Sequence, residues 1–428
     1  MKNNLKNSIL AALGIAVIGV SIPAEATNGY FAHGYGTKSK GMAGAGVAYS
    51  QDALAAATNP AGMVNVGNRW DVGAELFIPD RTADTAWGTQ ASTNTVTTYD
   101  GNGSGYGEAW FLIPEFGYNR MINDTYSVGV SVFGNGGMNT TYSSQIFSQG
   151  TAGSNTGINL EQLFISPTLS IKLDENNSLG ISANVVYQRF EAKGIGDFAG
   201  LSSDPTKLSD VGVEDSYGFG FRIGWQGKLT NNITAGLTFQ PRINMKPFAK
   251  YAGLFAEGGD FDIPTNYALG LAWKATPELT VAFDAEKIKY SEVKSIANPN
   301  TFGATGLLGT TNGPGFGWED MDIYKLGVAY QYSKELVLRA GWNHGTQPIP
   351  AGETLFNVIA PATVEDHITL GFTWTMKDGG ELSGFYMHAL ENTVNGTGVV
   401  PFPGAQNAGG ANIGMSQNSI GIAYGKKF

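Results

Sequence analysis

The sequence predicts a fourteen-stranded antiparallel transmembrane β-barrel, and three observations predict it. Short segments of alternating apolar and polar residues recur from Arg69 to Phe428. Tight turns alternate with long loops along them, which puts all the turns on one rim. The face opposite each apolar face is small and polar, which suits a lumen rather than a second packed sheet. Strands of roughly 9–11 residues, an even count and an aromatic last residue describe the barrels of bacterial outer membranes. A soluble sandwich or propeller would carry a second core face or a blade repeat, and neither is present.

The first 26 residues read as a secretory signal. Lys2 and Lys6 give the positive end, Ile9 to Val20 the apolar stretch, and Ala24-Glu25-Ala26 the cleavage pattern. Residues 27–67 form a separate segment rich in Gly and Ala, from Gly41 to Ser50 and from Asp52 to Ala57, followed by Asn59-Pro60-Ala61. Asp52 can cap a short helix through Ala57, and Asn59-Pro60 can end it and begin another turn. Fourteen strands enclose more space than their own side chains fill, so this segment is expected as a lumenal plug, or hatch. Residues 68–428 are then the barrel.

In the strands the faces separate cleanly. Tyr126, Val128, Val130 and Val132 oppose Ser127, Gly129 and Ser131; Tyr217, Phe219, Phe221 and Ile223 oppose Gly218, Gly220, Arg222 and Gly224. The last strand carries Ile420, Ile422, Tyr424 and Phe428 on one face. Hairpin turns fall at Asn123-Asp124, Asp174 to Asn177, Asn231-Asn232, Pro277-Glu278, Ser333-Lys334 and Asp378 to Gly380. Long loops fall at 80–107, 134–157, 191–213, 246–260, 293–318, 347–362 and 392–414. With both chain ends periplasmic, these loops are extracellular.

Composition excludes several classes. The net charge of −10 becomes −11 when two cations (Lys2, Lys6) and one anion (Glu25) leave with the signal. An acidic chain with 60 glycines is no nucleic-acid binder. There is no cysteine, hence no disulfide or thiolate chemistry. The mean hydropathy of −0.10 is unremarkable because only half of each strand meets lipid. The four histidines, His33, His344, His367 and His388, come with no G-x-S-x-G motif. Glu365 and His367 share a face but read as a lumenal hydrogen bond. Gly101 to Gly107 lack the acidic spacing of a calcium loop and the Lys-Ser/Thr of a P-loop. No enzyme, metal or cofactor is expected.

The run Gly41 to Gly62, with Asp52-Ala53 and Asn59-Pro60-Ala61, resembles the FadL/TodX family of outer-membrane transporters for long-chain fatty acids and aromatic hydrocarbons. The resemblance continues through Phe133-Gly134, Ile263-Pro264, Asp322 to Leu326 and Tyr386-Met387-His388. It implies an uptake channel for hydrophobic small molecules, captured between extracellular loops and released sideways into outer-membrane lipid past the lipopolysaccharide. The lateral gate is expected at Phe133-Gly134, where the third strand would kink inward. Capture is expected at Phe198 and Leu201 of one loop and Phe248, Tyr251, Leu254 and Phe255 of another. Arg222, Lys325 and Arg339 are candidate lumenal cations for a carboxylate, or structural partners of Asp284 and Glu286. The strand ending at Phe428 is the expected handle for the barrel assembly machinery, and a monomer is expected. The rival readings are a general diffusion porin, which would need opposed charge rings in an open lumen, and a surface receptor or adhesin barrel.

Overall fold

The computed structural model describes residues 27–85, 94–97, 110–142, 147, 156–301, 306–397 and 411–428. Residues 1–26, expected as a signal, and the glycines Gly101 to Gly107 lie outside these. Fourteen strands close one antiparallel sheet: β1 (Arg69–Thr85), β3 (Phe111–Met121), β4 (Tyr126–Tyr142), β5 (Thr156–Lys172), β6 (Asn177–Lys193), β7 (Glu214–Lys228), β8 (Ile233–Gln240), β9 (Asn266–Lys274), β10 (Leu279–Ile288), β11 (Met321–Gln331), β12 (Leu336–Gly345), β13 (Asp366–Thr375), β14 (Gly380–Val394) and β15 (Asn412–Lys427). Each pairs with its neighbour in sequence, and β15 returns to β1 with Arg69 opposite Lys427. A further four-residue strand, β2 (Asn94–Thr97), pairs with the top of β1 inside the first long loop.

Alternation sets the wall. Phe219 is 75% exposed, and Val128, Ile181, Leu237 and Ile422 also face outward. Their neighbours Ser127, Ser182, Thr238 and Ser419 are buried inside. An exposed apolar surface of this extent is stable only against lipid. Trp110, Trp273, Trp342, Trp374 and Tyr332 are exposed at strand ends, where amphipathic rings meet the headgroup level.

All six tight turns form as the sequence predicts, each held by a side chain that caps its own backbone. Asn123 accepts from the amides of Thr125 and Tyr126, and Asp174 from those of Asn176 and Asn177. Thr230, Thr276 and Ser333 do the same by hydroxyl, and Asp378 accepts from Gly380.

Strand length departs from expectation. β1, β4, β5 and β6 have 17 residues and β7, β14 and β15 have 15 or 16, against 8–11 in the other barrel strands. Only about 9–11 residues are needed to cross the bilayer; the surplus stands above it as the wall of the loop region. Positions 134–142, read as the start of a loop, therefore belong to β4.

Candidate functional site

The lumen has two storeys. Along β6 the inward residues run Ser178, Ser182, Asn184, then Val186, Gln188 and Phe190; along β1 they run Asp71, Glu75, then Phe77. The polar storey lies toward the tight turns and holds the N-terminal segment. The apolar storey lies toward the long loops.

The segment 27–67 contains three short helices, α1 (Thr37–Lys40), α2 (Ala55–Thr58) and α3 (Met63–Val66), and a 3-10 turn at Pro60–Gly62. Asn59 is buried and does three things. Its Oδ1 accepts from the Ala61 amide at 3.1 Å, and its Nδ2 donates to the carbonyls of Val47 at 2.8 Å and Trp225 at 3.0 Å. Asp284 of β10 accepts from the amides of Gly46 at 2.7 Å and Val47 at 3.0 Å. Backbone approaches the wall wherever a lumen-face glycine leaves room. A Cβ on Gly224 would lie 1.9 Å from Asn59 Oδ1, and one on Gly180 2.2 Å from the Pro60 carbonyl carbon. Gly117, Gly236, Gly270, Gly341 and Gly371 meet the segment in the same way. Replacing Asn59 by Ala removes three buried hydrogen bonds and is expected to destabilise this seating by about 2 kcal/mol. Amide exchange in 46–62 should accelerate correspondingly while the strand amides stay protected.

An ion network fastens the same storey. Lys38 pairs with Glu381, Lys40 with Glu75, and Arg69 with Asp71 at 2.6 Å and Glu381 at 2.9 Å. Asp52, buried next to Asp71, is pushed up to about 7 by burial first and then by that carboxylate. His33 is fully buried, stacked on His367 at 6.1 Å, and neither ring has a hydrogen-bond partner among the described residues. Burial, then the Lys40 charge, holds His33 well below its usual 6.5. Glu75 opposes this, and His367 and Lys325 reinforce it.

A solvated His33 takes up a proton near 6.5, whereas a seated one resists it. Seating is therefore unpenalised above that pH and weakens as pH falls below it. Asp52 works in the opposite sense: its contribution is complete below 3.8 and lost as pH rises through about 7. His33→Phe keeps the ring contact with Phe385 and cannot protonate. Single-channel recordings at pH 5 should show fewer openings in this variant than in the wild type, since in the variant only the Asp52 effect remains and it favours seating in acid.

The apolar storey gathers the loop residues. Phe198, Phe248, Tyr251, Leu254 and Phe255 belong to one buried cluster, and Leu201 packs partly buried against it. They are buried and turn into the barrel mouth. Phe190 is the hub, with ring centroids 4.7 Å from Tyr251, 4.7 Å from Phe255 and 5.6 Å from Phe248. The chain of rings continues through Phe261 to Tyr30, which contacts Tyr290 at 5.2 Å and Trp318 at 6.1 Å. Phe198 joins from the other side through Phe356 at 5.0 Å. Residues 28–31 thus sit among the loop aromatics, far up the lumen, although the chain enters β1 from the tight-turn rim.

The candidate cations are all engaged. Lys325 pairs with Glu286 at 2.8 Å. Arg222 donates to Gln240 and Asn266, and Arg339 to Thr373 and to Gln51 of the N-terminal segment.

At β4 the barrel wall is irregular. Pairing between β3 and β4 stops at Phe116 opposite Val132, although β3 begins at Phe111 and β4 runs on to Tyr142. Between Gly134 and Gly136 the register with β5 shifts by one, leaving Asn135 as the extra residue. The Ala32 amide donates to the Asn135 carbonyl at 2.9 Å, and the Gly137 amide to Tyr30 at 2.8 Å. Past the bulge, β4 therefore bonds inward to residues 30–32 in place of β3. Phe133 points into the lumen against Tyr35 at 4.8 Å and Phe164 at 5.4 Å. Gly134 faces the other way, and a Cβ there would sit 3.2 Å from Ile113 of β3. The residue that needs to be glycine is Gly136, at φ 150°, where a Cβ would lie 1.7 Å from the Tyr30 carbonyl oxygen.

The family model for outer membrane protein transport proteins (OMPP1/FadL/TodX) matches residues 20–398. Among solved structures, the Pseudomonas putida toluene transporter TodX superposes with a TM-score of 0.68 at 19% identity, over 92% of this chain and 99% of that one. A Pseudomonas aeruginosa FadL homologue gives 0.70 at 17% identity, over 94% and 100%. The Ralstonia pickettii toluene transporter TbuX gives 0.65 at 16% identity, over 92% and 99%. No curated protein sequence matches the chain. A closed fourteen-stranded barrel and a family match across most of the chain agree: this is an outer-membrane transport protein, not an enzyme, and it belongs to the OMPP1/FadL/TodX family.

Proposed function

We propose that this channel takes up hydrophobic compounds, long-chain fatty acids or hydrocarbons, and releases them sideways through the wall at the bulged β4. The observation that carries the reading is the interrupted ladder at Phe116 and Val132, directly beside an apolar upper lumen. A water-filled pore offers an alkyl chain no favourable path, because each exposed methylene costs roughly 0.8 kcal/mol. A route lined by Phe190, Phe255, Tyr30 and Phe133 keeps the ligand dry from the loops to the gap. The occupied polar storey below blocks the straight path to the periplasm. Toluene transport in the names of TodX and TbuX accords with an apolar cargo. In this proposal the loop aromatics admit the ligand by parting, the protein works as a single barrel, and the assembly machinery receives it through the strand ending at Phe428.

Uptake of radiolabelled fatty acid and toluene by cells carrying the protein tests the substrate class, with sugar-driven liposome swelling alongside. Faster hydrophobic uptake without swelling is expected. Swelling without hydrophobic uptake would make the protein a diffusion porin.

A further inference from the structure

The geometry points to Arg81 as the anchor for a carboxylate headgroup at the inner side of the β3–β4 gap, so that the cargo is an amphiphile with one anionic end. This rests on the uptake reading and narrows it.

Arg81 lies on the inward face of β1, in step with Glu75, Phe77 and Pro79, and is 4% exposed. Among the described residues its Nε has no hydrogen-bond partner and no carboxylate pairs with it. The other lumenal cations named above all have partners. Asp80 is exposed on the opposite face of the strand, and Tyr142 spends its hydroxyl on the Val358 carbonyl at 2.6 Å. A guanidinium buried without an anion is costly, and a carboxylate meeting its fork would relieve that cost.

The surroundings define the rest of the ligand. Arg81 lines a cavity of about 10 Å³ with Phe77, Pro79, Met138, Asn139 and Met415. That volume holds about one water-sized group, enough for one oxygen of a headgroup. Met138 and Met415 can shift to admit the remainder because unbranched thioethers repack readily. Next to the cavity, Phe77, Phe111, Ile113, Phe385 and Met387 form a separate apolar cluster. Phe111 and Ile113 belong to the part of β3 that has lost β4 as a partner. A headgroup at Arg81 therefore lays its tail along the gap's inner edge. An uncharged hydrocarbon would leave the guanidinium unpaired.

The test compares oleate with oleyl alcohol, which share a tail and differ in charge, using purified protein. Wild type should prefer oleate by at least about tenfold, the ordinary range for a charge-assisted hydrogen bond. Arg81→Met keeps side-chain length without charge; it should lose that preference and bind the alcohol as wild type does. Equal wild-type affinity for both probes overturns the Arg81 site whatever the variant does. An undiminished oleate preference in Arg81→Met, or in Arg81→Gln where the first does not assemble, overturns it as well. Failure of wild type to bind either probe would instead overturn the uptake reading.

Discussion

Deleting Thr27 to Val66 is expected to turn a nearly closed pore into a wide one. The segment occupies the polar storey of the lumen, held by Asn59, Asp284 and the Lys38, Lys40 and Arg69 ion network. A barrel of fourteen strands cannot fill that space with its own side chains. Planar-bilayer recordings should show rare small events for the intact protein and large, persistent conductance for the deletion. Gly224→Val is the graded form, since its side chain would enter the space of Asn59 and Pro60; it should raise open probability without removing a residue. Unchanged conductance in the deletion would mean that the loop aromatics alone seal the pore.

Deleting Asn135 should abolish most hydrophobic uptake while the barrel still assembles. Asn135 is the residue without a counterpart on β5, since Gly134 opposes Leu163 and Gly136 opposes Gln162. Its removal restores one-to-one register, takes away the carbonyl that holds Ala32, and lets β4 realign toward β3. Uptake should fall to about a tenth or less, because the exit offered to an apolar chain is replaced by a continuous ladder. Ligand binding at the aromatic mouth should persist, since Phe190, Tyr251 and Phe255 are untouched. Gly134→Val is the milder version; its Cβ would sit 3.2 Å from the Cγ2 methyl of Ile113, and no residue is removed. Wild-type uptake in an assembled Asn135 deletion would place the exit at another strand or through the N-terminal segment.

Period-two alternation carries the barrel, its strand count and its six turns, because lipid on one face leaves no other register. Fine placement was less legible. The change from polar to apolar inward residues, at Asn184 to Val186 and at Glu75 to Phe77, is written in the sequence but needs the closed barrel to read as two storeys. Pro114 was a further signal: a residue that cannot donate to a ladder suits the stretch of β3 that β4 leaves. The inward turn of Phe248 and Phe255 was not legible, since a loop's hydrophobicity does not say which way it folds. Nor was the role of Asp284, which alternation offers as a salt-bridge partner and which in fact accepts two backbone amides. Arg81 does not stand out in the sequence, because a lone inward arginine looks like Arg222 or Arg339 until their partners are known.

The ring of lumen-face glycines has a consequence for how the molecule is made. At Gly117, Gly180, Gly224, Gly236, Gly270 and Gly341 the N-terminal segment touches strands on every side, so closely that a methyl group would not fit between them. A body gripped that tightly cannot be threaded into a finished cylinder through its rim. The seam that closes the sheet joins β1 to β15, bringing Arg69 opposite Lys427 across nearly the whole chain. Where the segment is present it has to be in place before that seam meets, so that the sheet closes around it. Variants that loosen the segment should therefore assemble more slowly than the wild type, whereas a chain lacking it has nothing to enclose and closes as an empty barrel.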